Sequence, residues 1–451
     1  MMKRLLGPAA MALALAACGS PSDPNLQETG PNPDLPDINQ TLVPPMRIAT
    51  PAAWEGELPT VPEGYTISVI ASDLRIPRQM LMMPNGDLLI AEGSGGYAPA
   101  LRPKDVIATF IKKMGRSSVG GGDRITLVRD ADCDGTPEQT TILLEDLYAP
   151  YGLAYVDGYL YVAEQDALVR FPYQAGQTQI TAPAEMVTLL PRQLNHHWTK
   201  ALTASADGQF LYVGIGSNSN AGERGLAMEE ERAVIWEIDR ETGARRTIAR
   251  GIRNPTALAI EPTTSALWAV VNERDEIGPQ LVPDYLTQVQ DGGFYGWPYS
   301  YWGQNVDPRV RPQRPDLVES ALTPDFALGN HVASLGLHFV TEGGFGGPFS
   351  QGAFIGMHGS WNRQDLSGYK VVWAPFQDGR PSGELVDFVT GFLTDNGQTR
   401  GRPVGVLFDP RSRALFIADD LGNVVWRVAP TGGAPVVQAD SAETAQEAPA
   451  P

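Results

Sequence analysis

Five histidines stand among 451 residues, and two of them, His196 and His197, are adjacent and directly precede an alternating apolar stretch. An imidazole with a near-neutral pKa can accept a proton as general base, and loops at the start of a strand are where a site gathers. The same pair could equally be turn histidines, packed or exposed. Arginines recur at equivalent points, in Arg253-Asn254-Pro255, Asn362-Arg363 and Arg400-Gly401-Arg402. Guanidinium groups converging from such turns suit a ligand with several carboxylates, through paired hydrogen bonds. Each arginine alone could instead pair with a local acid. Glu273, Asp275 and Glu276 follow another apolar strand and are candidates for a hard cation near the same site. Asp130, Asp132 and Asp134, closed by Gly135, alternate like a calcium loop but lack its distal bidentate acid, so a solvated turn fits as well. A dense aromatic run, Tyr295-Gly296-Trp297-Pro298 followed by Tyr299, Tyr301 and Trp302, suits stacking on flat rings or the packing of a long loop.

Other chemistries find no support. There is no HEXXH pattern and no cysteine pair, so a zinc site is not indicated. No GxSxG elbow serves a serine nucleophile, and no GxGxxG joins a strand to a helix. The formal net charge of −18 argues against nucleic-acid binding, which needs clustered cations against phosphate.

The elements that must position these residues come from a repeat. One phrase, an apolar strand, a tight turn and a second strand, returns six times, from Ile76, Ala149, His196, Asn254, Ala333 and Gly401. Each copy alternates at period two, as a half-buried strand does. One unit cannot bury its faces alone, so copies must stack or close. Six copies predict an all-β, six-bladed β-propeller spanning residues 61–430, whose turns collect around one axial pocket. Two stretches break the spacing: a basic insertion at 95–122 with a short helix expected over 105–113, and an excursion at 279–330 holding the aromatic run.

The ends read differently. Residues 1–18 resemble a bacterial lipoprotein signal peptide, with Lys3 and Arg4, an apolar stretch, and Cys18 as the lipidated residue. Export to the periplasm and anchoring at the membrane face through lipid follow from that. Residues 19–60, rich in Pro and polar residues, are expected to form a flexible tether, and 431–451 a disordered tail. With Cys18 consumed by lipid, Cys133 has no partner and no disulfide is expected.

The segments GYTISVIASDL, NHHWTKAL, GIRNPTALAI, NERDEI, DGGFYGWP, MHGSWNR and RGRPVGVLFD together resemble the soluble quinoprotein glucose and sorbosone dehydrogenase family, over roughly residues 62–430. HHW, HGSWNR and the long YSYWG loop are most similar to the sorbosone dehydrogenase branch. The resemblance implies a propeller that binds pyrroloquinoline quinone and calcium and oxidises an aldose or a sorbosone-like aldehyde. It implies a base at His197, with Arg253 stabilising negative charge at the quinone oxygens. It places cofactor-binding roles on Asn254, Arg363, Arg400 and Arg402, with Lys200 as polar support, and makes Glu273, Asp275 and Glu276 the calcium candidates. The chain departs from the family where Pro150 replaces a glutamine, where His196 replaces an acid beside the base, and where a Gly-Pro carbonyl pair is missing around NERDEI. A calcium-dependent sugar lactonase and a non-catalytic propeller binding envelope glycans or proteins remain as alternatives.

Overall fold

Each copy of the phrase builds the inner strands of one blade, whose core is four antiparallel strands, with a fifth short strand added to the third and fourth blades. The first blade runs Pro77–Met82, Leu88–Glu92, Arg124–Arg129 and Gln139–Leu144. The innermost strands of the next five blades are Gly152–Val156, Leu202–Ala204, Pro255–Ile260, Ser334–Phe339 and Pro403–Asp409. Each of these strands neighbours the next, and the last returns to the first, so the ring closes. Closure is sealed at the periphery, where Tyr65–Ala71 pairs antiparallel with Val424–Pro430 and completes the sixth blade. The result is a six-bladed β-propeller. This computed structural model describes residues 22–41, 46–96, 100, 103–116, 120–192, 194–341 and 343–432. The leader with Cys18 and nearly all of 431–451 lie outside the described residues. Cys133 is a buried free thiol.

The period-two alternation has a different meaning from the one expected. Strands such as Leu88–Glu92, Gly352–Met357 and Pro403–Asp409 are buried at every position, not half-buried. Blades stack face to face, so each inner strand has a neighbour on both sides. Alternate residues then report which neighbour they touch. Leu89 and Ala91 join the core shared with the second blade, while Leu88 and Ile90 join the core shared with the sixth. Trp268 and Val270 likewise face the fifth blade, and Ala269 and Val271 the third.

Close approach at these interfaces requires glycine in places. A Cβ on Gly336 would lie 2.2 Å from the carbonyl oxygen of Val404, and one on Gly405 would lie 2.3 Å from that of Arg78. The obstructing atoms are backbone, which cannot rotate away. Gly336→Ala is therefore expected to destabilise the fold by about 1–3 kcal/mol, read from denaturant midpoints.

The stretch 22–60 is not a tether standing apart from the domain. Thr29–Gly30 adds a strand to the fourth blade beside Ala327 and Leu328, and Thr50–Pro51 pairs with Gln398–Thr399. Leu35 and Ile38 pack on the core between the third and fourth blades, and Trp54 lies edge-on to Phe392 and Trp426. Its few apolar residues are spaced as anchors, so a proline-rich composition here gives an extended strap. In the 95–122 insertion, a helix forms over Pro103–Met114. No helix among the described residues is long and apolar enough to cross a membrane.

Candidate active site

Two kinds of turn meet at one end of the ring: those leading into each innermost strand, and those joining a blade's second and third strands. Between them lie two adjoining cavities of about 210 Å³ each, both lined by His196, His197 and Asn254. One also carries Lys112, Arg253, Asn272, Glu273, Asp275 and Asn362. The other carries Arg78, Arg116, Trp198, His358 and Asp420.

His197 precedes the innermost strand of the third blade. Its Nδ1 lies 2.9 Å from the Ser217 carbonyl oxygen and 2.9 Å from Ser217 Oγ. A carbonyl only accepts, so Nδ1 carries the proton and Nε2 keeps its lone pair. Burial, reinforced by Arg253 and His196, holds the His197 pKa well below its ordinary value, so the ring is neutral at working pH. Burial likewise pushes His196 down to about 4, and its Nδ1 has no partner. A Cβ on Gly216 would lie 2.5 Å from that of His197 and 2.4 Å from Asn254 Oδ1, so the absence of a side chain there lets both reach the cavity.

Arg253 is buried and donates to the carbonyl oxygens of Asn220, Asn272 and Glu273 and to Asn220 Oδ1, at 2.7–3.1 Å. All four acceptors are neutral. They fix the guanidinium without cancelling its charge, which is the arrangement that stabilises an anion forming beside it. The Oδ1 atoms of Asn254, Asn272 and Asn362 are buried without a hydrogen-bond partner.

The structure brings together His197, Arg253, Asn254, Glu273 and Asp275 around one cavity. It disperses the other residues singled out in the sequence. Lys200 is fully buried below the loop, its Nζ donating to the Trp198 carbonyl at 2.8 Å, so it pins the histidine turn from beneath and does not face the cavity. Arg363 turns away to Glu28 of the strap at 3.0 Å and to the Asn330 carbonyl, and its neighbour Asn362 takes the cavity position. Arg400 pairs with Glu57 at 2.5 Å and lies over the Trp54 ring. Arg402 is buried and donates to the Gly115 carbonyl at the end of the inserted helix. The strap thus supplies the acceptors that draw Arg363 and Arg400 away, whereas Arg402, held by the insertion, still acts on His358 and Asp420 of the axial cavity.

The acidic run does not converge either. The Glu273 carboxylate bonds the buried Arg274 at 3.0 Å, and Glu276 lines a different cavity. Asp275 alone of the three keeps its carboxylate by the site, beside His331 Nδ1 at 3.3 Å and the amide of Asn362. Burial would raise its pKa, but His331, Arg253 and Lys112 outweigh that and hold it below the usual range. Asp130, Asp132 and Glu138 do place carboxylates within reach of one another, on the exposed turn of the first blade.

Several cavity residues escaped the sequence reading. Lys112 reaches in from the inserted helix, its Nζ 4.1 Å from the centre of the Trp361 ring. His358 and Asp420 are joined through His358 Nε2 at 3.0 Å, and Arg78 holds Asp420 at 2.8 Å. Asp284 accepts the backbone N–H groups of Glu273 and Ala333, yet burial pushes it up to about 7. The signal was positional: Asn272, His358 and Asp420 each stand just after a blade's second strand. For Asp284, the folded carboxyl holds its proton more tightly than the unfolded one, near 3.9. Stability is therefore expected to fall by up to ~4 kcal/mol as pH rises from about 4 to 7, and urea melts of Asp284→Asn should lack that slope.

The TrAA12-like family model matches residues 117–291 and 317–430. The chain is 27% identical over 304 residues to an uncharacterized protein of Borreliella burgdorferi, covering 63% of this chain and 77% of that one. Over 195 residues it is 34% identical to the aldose sugar dehydrogenase YliI of Escherichia coli K12, covering 42% of this chain and 46% of the enzyme, under half of that relative's length. Among solved structures, the holo form of the pyranose dehydrogenase PQQ domain from Coprinopsis cinerea shares the fold, with a TM-score of 0.67 at 17% identity over 85% of this chain and 100% of that one. With the match extending over more than half its length, the chain belongs to the TrAA12-like family.

Proposed function

We propose that this protein is a dehydrogenase dependent on pyrroloquinoline quinone, which oxidises an aldose or a sorbosone-like aldehyde at the axial cavity. The observation that carries the reading is His197, a neutral imidazole fixed by Ser217 beside a guanidinium, Arg253, whose charge no hydrogen-bonded carboxylate cancels. Relatives named as sugar dehydrogenases support it.

The residues present fit the cofactor. Asn254 and His196, whose Oδ1 and Nδ1 are buried without partners, line both adjoining cavities, to which Arg78 and Arg116 on one side and Lys112 and Arg253 on the other bring positive charge beside the carboxylates of Asp420 and Asp275. Lys112 and Arg116 would take the carboxylate-binding role expected of Arg363 and Arg400, with Arg78 held beside them by Asp420. Calcium fits the orphan oxygens of Asn272, Asn254 and Asn362 together with the ionised Asp275, an all-oxygen set suited to a hard cation. When bound, the quinone supplies a two-electron acceptor for hydride. This chain's part is to remove the proton and hold charge. His197 Nε2 takes the proton from the sugar's anomeric hydroxyl. Arg253 stabilises negative charge that builds beside it. The resemblance of residues 1–18 to a lipoprotein leader ending at Cys18 supports a place of work outside the cytoplasm, on a lipid-anchored protein.

The test is reconstitution of purified protein with the quinone and calcium, followed by dye reduction over a panel of aldoses and sugar aldehydes. Sugar-dependent reduction that requires the quinone is the expected result. Hydrolysis of a sugar lactone without any acceptor, or no spectral change on adding the quinone, would overturn the proposal.

A further inference from the structure

The inserted helix Pro103–Met114 leaves one of its faces uncovered. Val106, Phe110 and Met114 follow one another at four-residue intervals, so they share a side of the helix, and they are 61%, 66% and 49% exposed. Elsewhere, exposed apolar residues such as Val69, Val306 and Val386 lie singly on separate strands. The opposite side of the helix is occupied. Ile107 lines a cavity of about 860 Å³, larger than either axial compartment, together with Leu226 and Glu276. Lys112 Nζ lies over the Trp361 ring, and a Cβ on Gly115 would come within 2.4 Å of Ile48 of the strap. The helix thus carries apolar residues on both sides, and the propeller covers only one of them.

Charge separates this segment from the rest of the molecule. Residues 95–122 hold five cations and one acid, in a chain of formal net charge −18. Lys112 and Arg116 line the axial cavities, while Lys113 is exposed and flanks the apolar stripe three residues beyond Phe110. A projecting apolar stripe edged by a cation suits an anionic bilayer surface, where apolar side chains enter the acyl boundary and ammonium groups stay among the phosphates. So acidic a chain is repelled from such a surface elsewhere, so the local sign of charge selects the side that approaches.

The start of the strap lies on the same rim. Ser22 Oγ accepts from Arg363 at 3.3 Å, two residues from the Trp361 that Lys112 touches, and the Ser22 N–H donates to Asp365 at 3.3 Å. Asp23 exchanges hydrogen bonds with Gln280 at 2.7 and 2.9 Å. Ser22 is the fourth residue after Cys18, a reach of about 14 Å at full extension. A lipid on Cys18 therefore holds the rim that carries the helix close to the membrane.

We propose that the exposed face of this helix docks on the phospholipid bilayer, with Val106, Phe110 and Met114 in the interfacial layer and Lys113 among anionic headgroups. The helix face then sets how the propeller sits on the membrane, with one rim of the axial end against it. The inference goes beyond the proposed reaction and takes its geometry from the lipid-anchor reading above.

The experiment uses the exported chain, reconstituted through its lipid into vesicles of phosphatidylethanolamine and phosphatidylglycerol. A polarity-sensitive fluorophore is attached at Phe110→Cys or, for comparison, at Val386→Cys on the fifth blade, both in a Cys133→Ser background. The fluorophore at 110 is expected to shift to the blue and to be quenched by spin-labelled lipid about threefold more than the one at 386. Equal quenching at the two sites overturns the docking. If mass spectrometry finds no lipid on Cys18, the anchor reading fails by itself, and sedimentation of the same chain with the vesicles decides the face. Binding that Phe110→Asp weakens about tenfold, and that Lys113→Glu weakens on phosphatidylglycerol but not on neutral vesicles, supports it. Absence of binding by the wild-type chain overturns it. A blue shift at 110 without vesicles, with a doubled mass, gives the face to a second copy and equally overturns the membrane as its occupant.

Discussion

Replacing His197 with alanine is expected to lower kcat/KM for sugar oxidation by about 10²–10⁴-fold, the usual contribution of a positioned general base. The loss should fall mainly on kcat, because the proton leaves the substrate in the reaction step. Quinone affinity, followed by its absorbance or fluorescence, should change far less, since the cations lining the two cavities, Arg78, Lys112, Arg116 and Arg253, all remain. The reasoning depends on the tautomer. Ser217 offers both a carbonyl and a hydroxyl to Nδ1, each at 2.9 Å. Ser217→Ala removes only the hydroxyl and leaves the carbonyl to orient the ring, so its effect should be much smaller. Near-normal turnover by His197→Ala would move the base elsewhere on the cavity, with His358 the next imidazole to examine.

The propeller was legible because its signal is repeated. Six phrases of alternating apolar residues, each unable to bury itself, leave little choice but a closed ring. The position of His197, Arg253 and Asn254 was legible for a related reason, since all three stand directly before an innermost strand and the ring brings such positions together. The arginines were misplaced because charge in a sequence does not say which partner it finds. Arg363 and Arg400 answer to Glu28 and Glu57, more than 300 residues away in the chain, in a strap whose composition suggested disorder. The acidic run at 273–276 failed through local geometry, because neighbouring side chains on a turn point apart: Glu273 inward to Arg274, Glu276 to the larger cavity. Lys112 was hidden in an insertion whose docking no local pattern announces.

Asp420→Ala is expected to cost about 3–5 kcal/mol of stability, the second large effect, because it strips a buried cation of its partner. Arg78 NH1 lies 2.8 Å from Asp420, and the two side chains are only 12% and 9% exposed. No lysine or longer acid could restore this geometry, since Asp420 also accepts from His358 Nε2 at 3.0 Å through both oxygens. Burial would raise the Asp420 pKa, but His358 and Arg78 outweigh it and drive the carboxyl well below the usual range. The sign follows from that depression: the group's stabilisation is complete above its unfolded pKa, near 3.9, and is lost as pH falls toward the folded value. Wild-type protein should therefore show an acid limb in urea midpoints below about pH 4 that Asp420→Ala lacks. Burial holds His358 below its ordinary pKa against the pull of the carboxylate, and its Nε2–H donates to Asp420. His358→Gln can keep that donated hydrogen bond while removing the second ring nitrogen. A variant that melts like wild type but turns over more slowly would assign His358 to proton handling beside His197, whereas an equal loss of both would confine it to holding Asp420 and Arg78 in place.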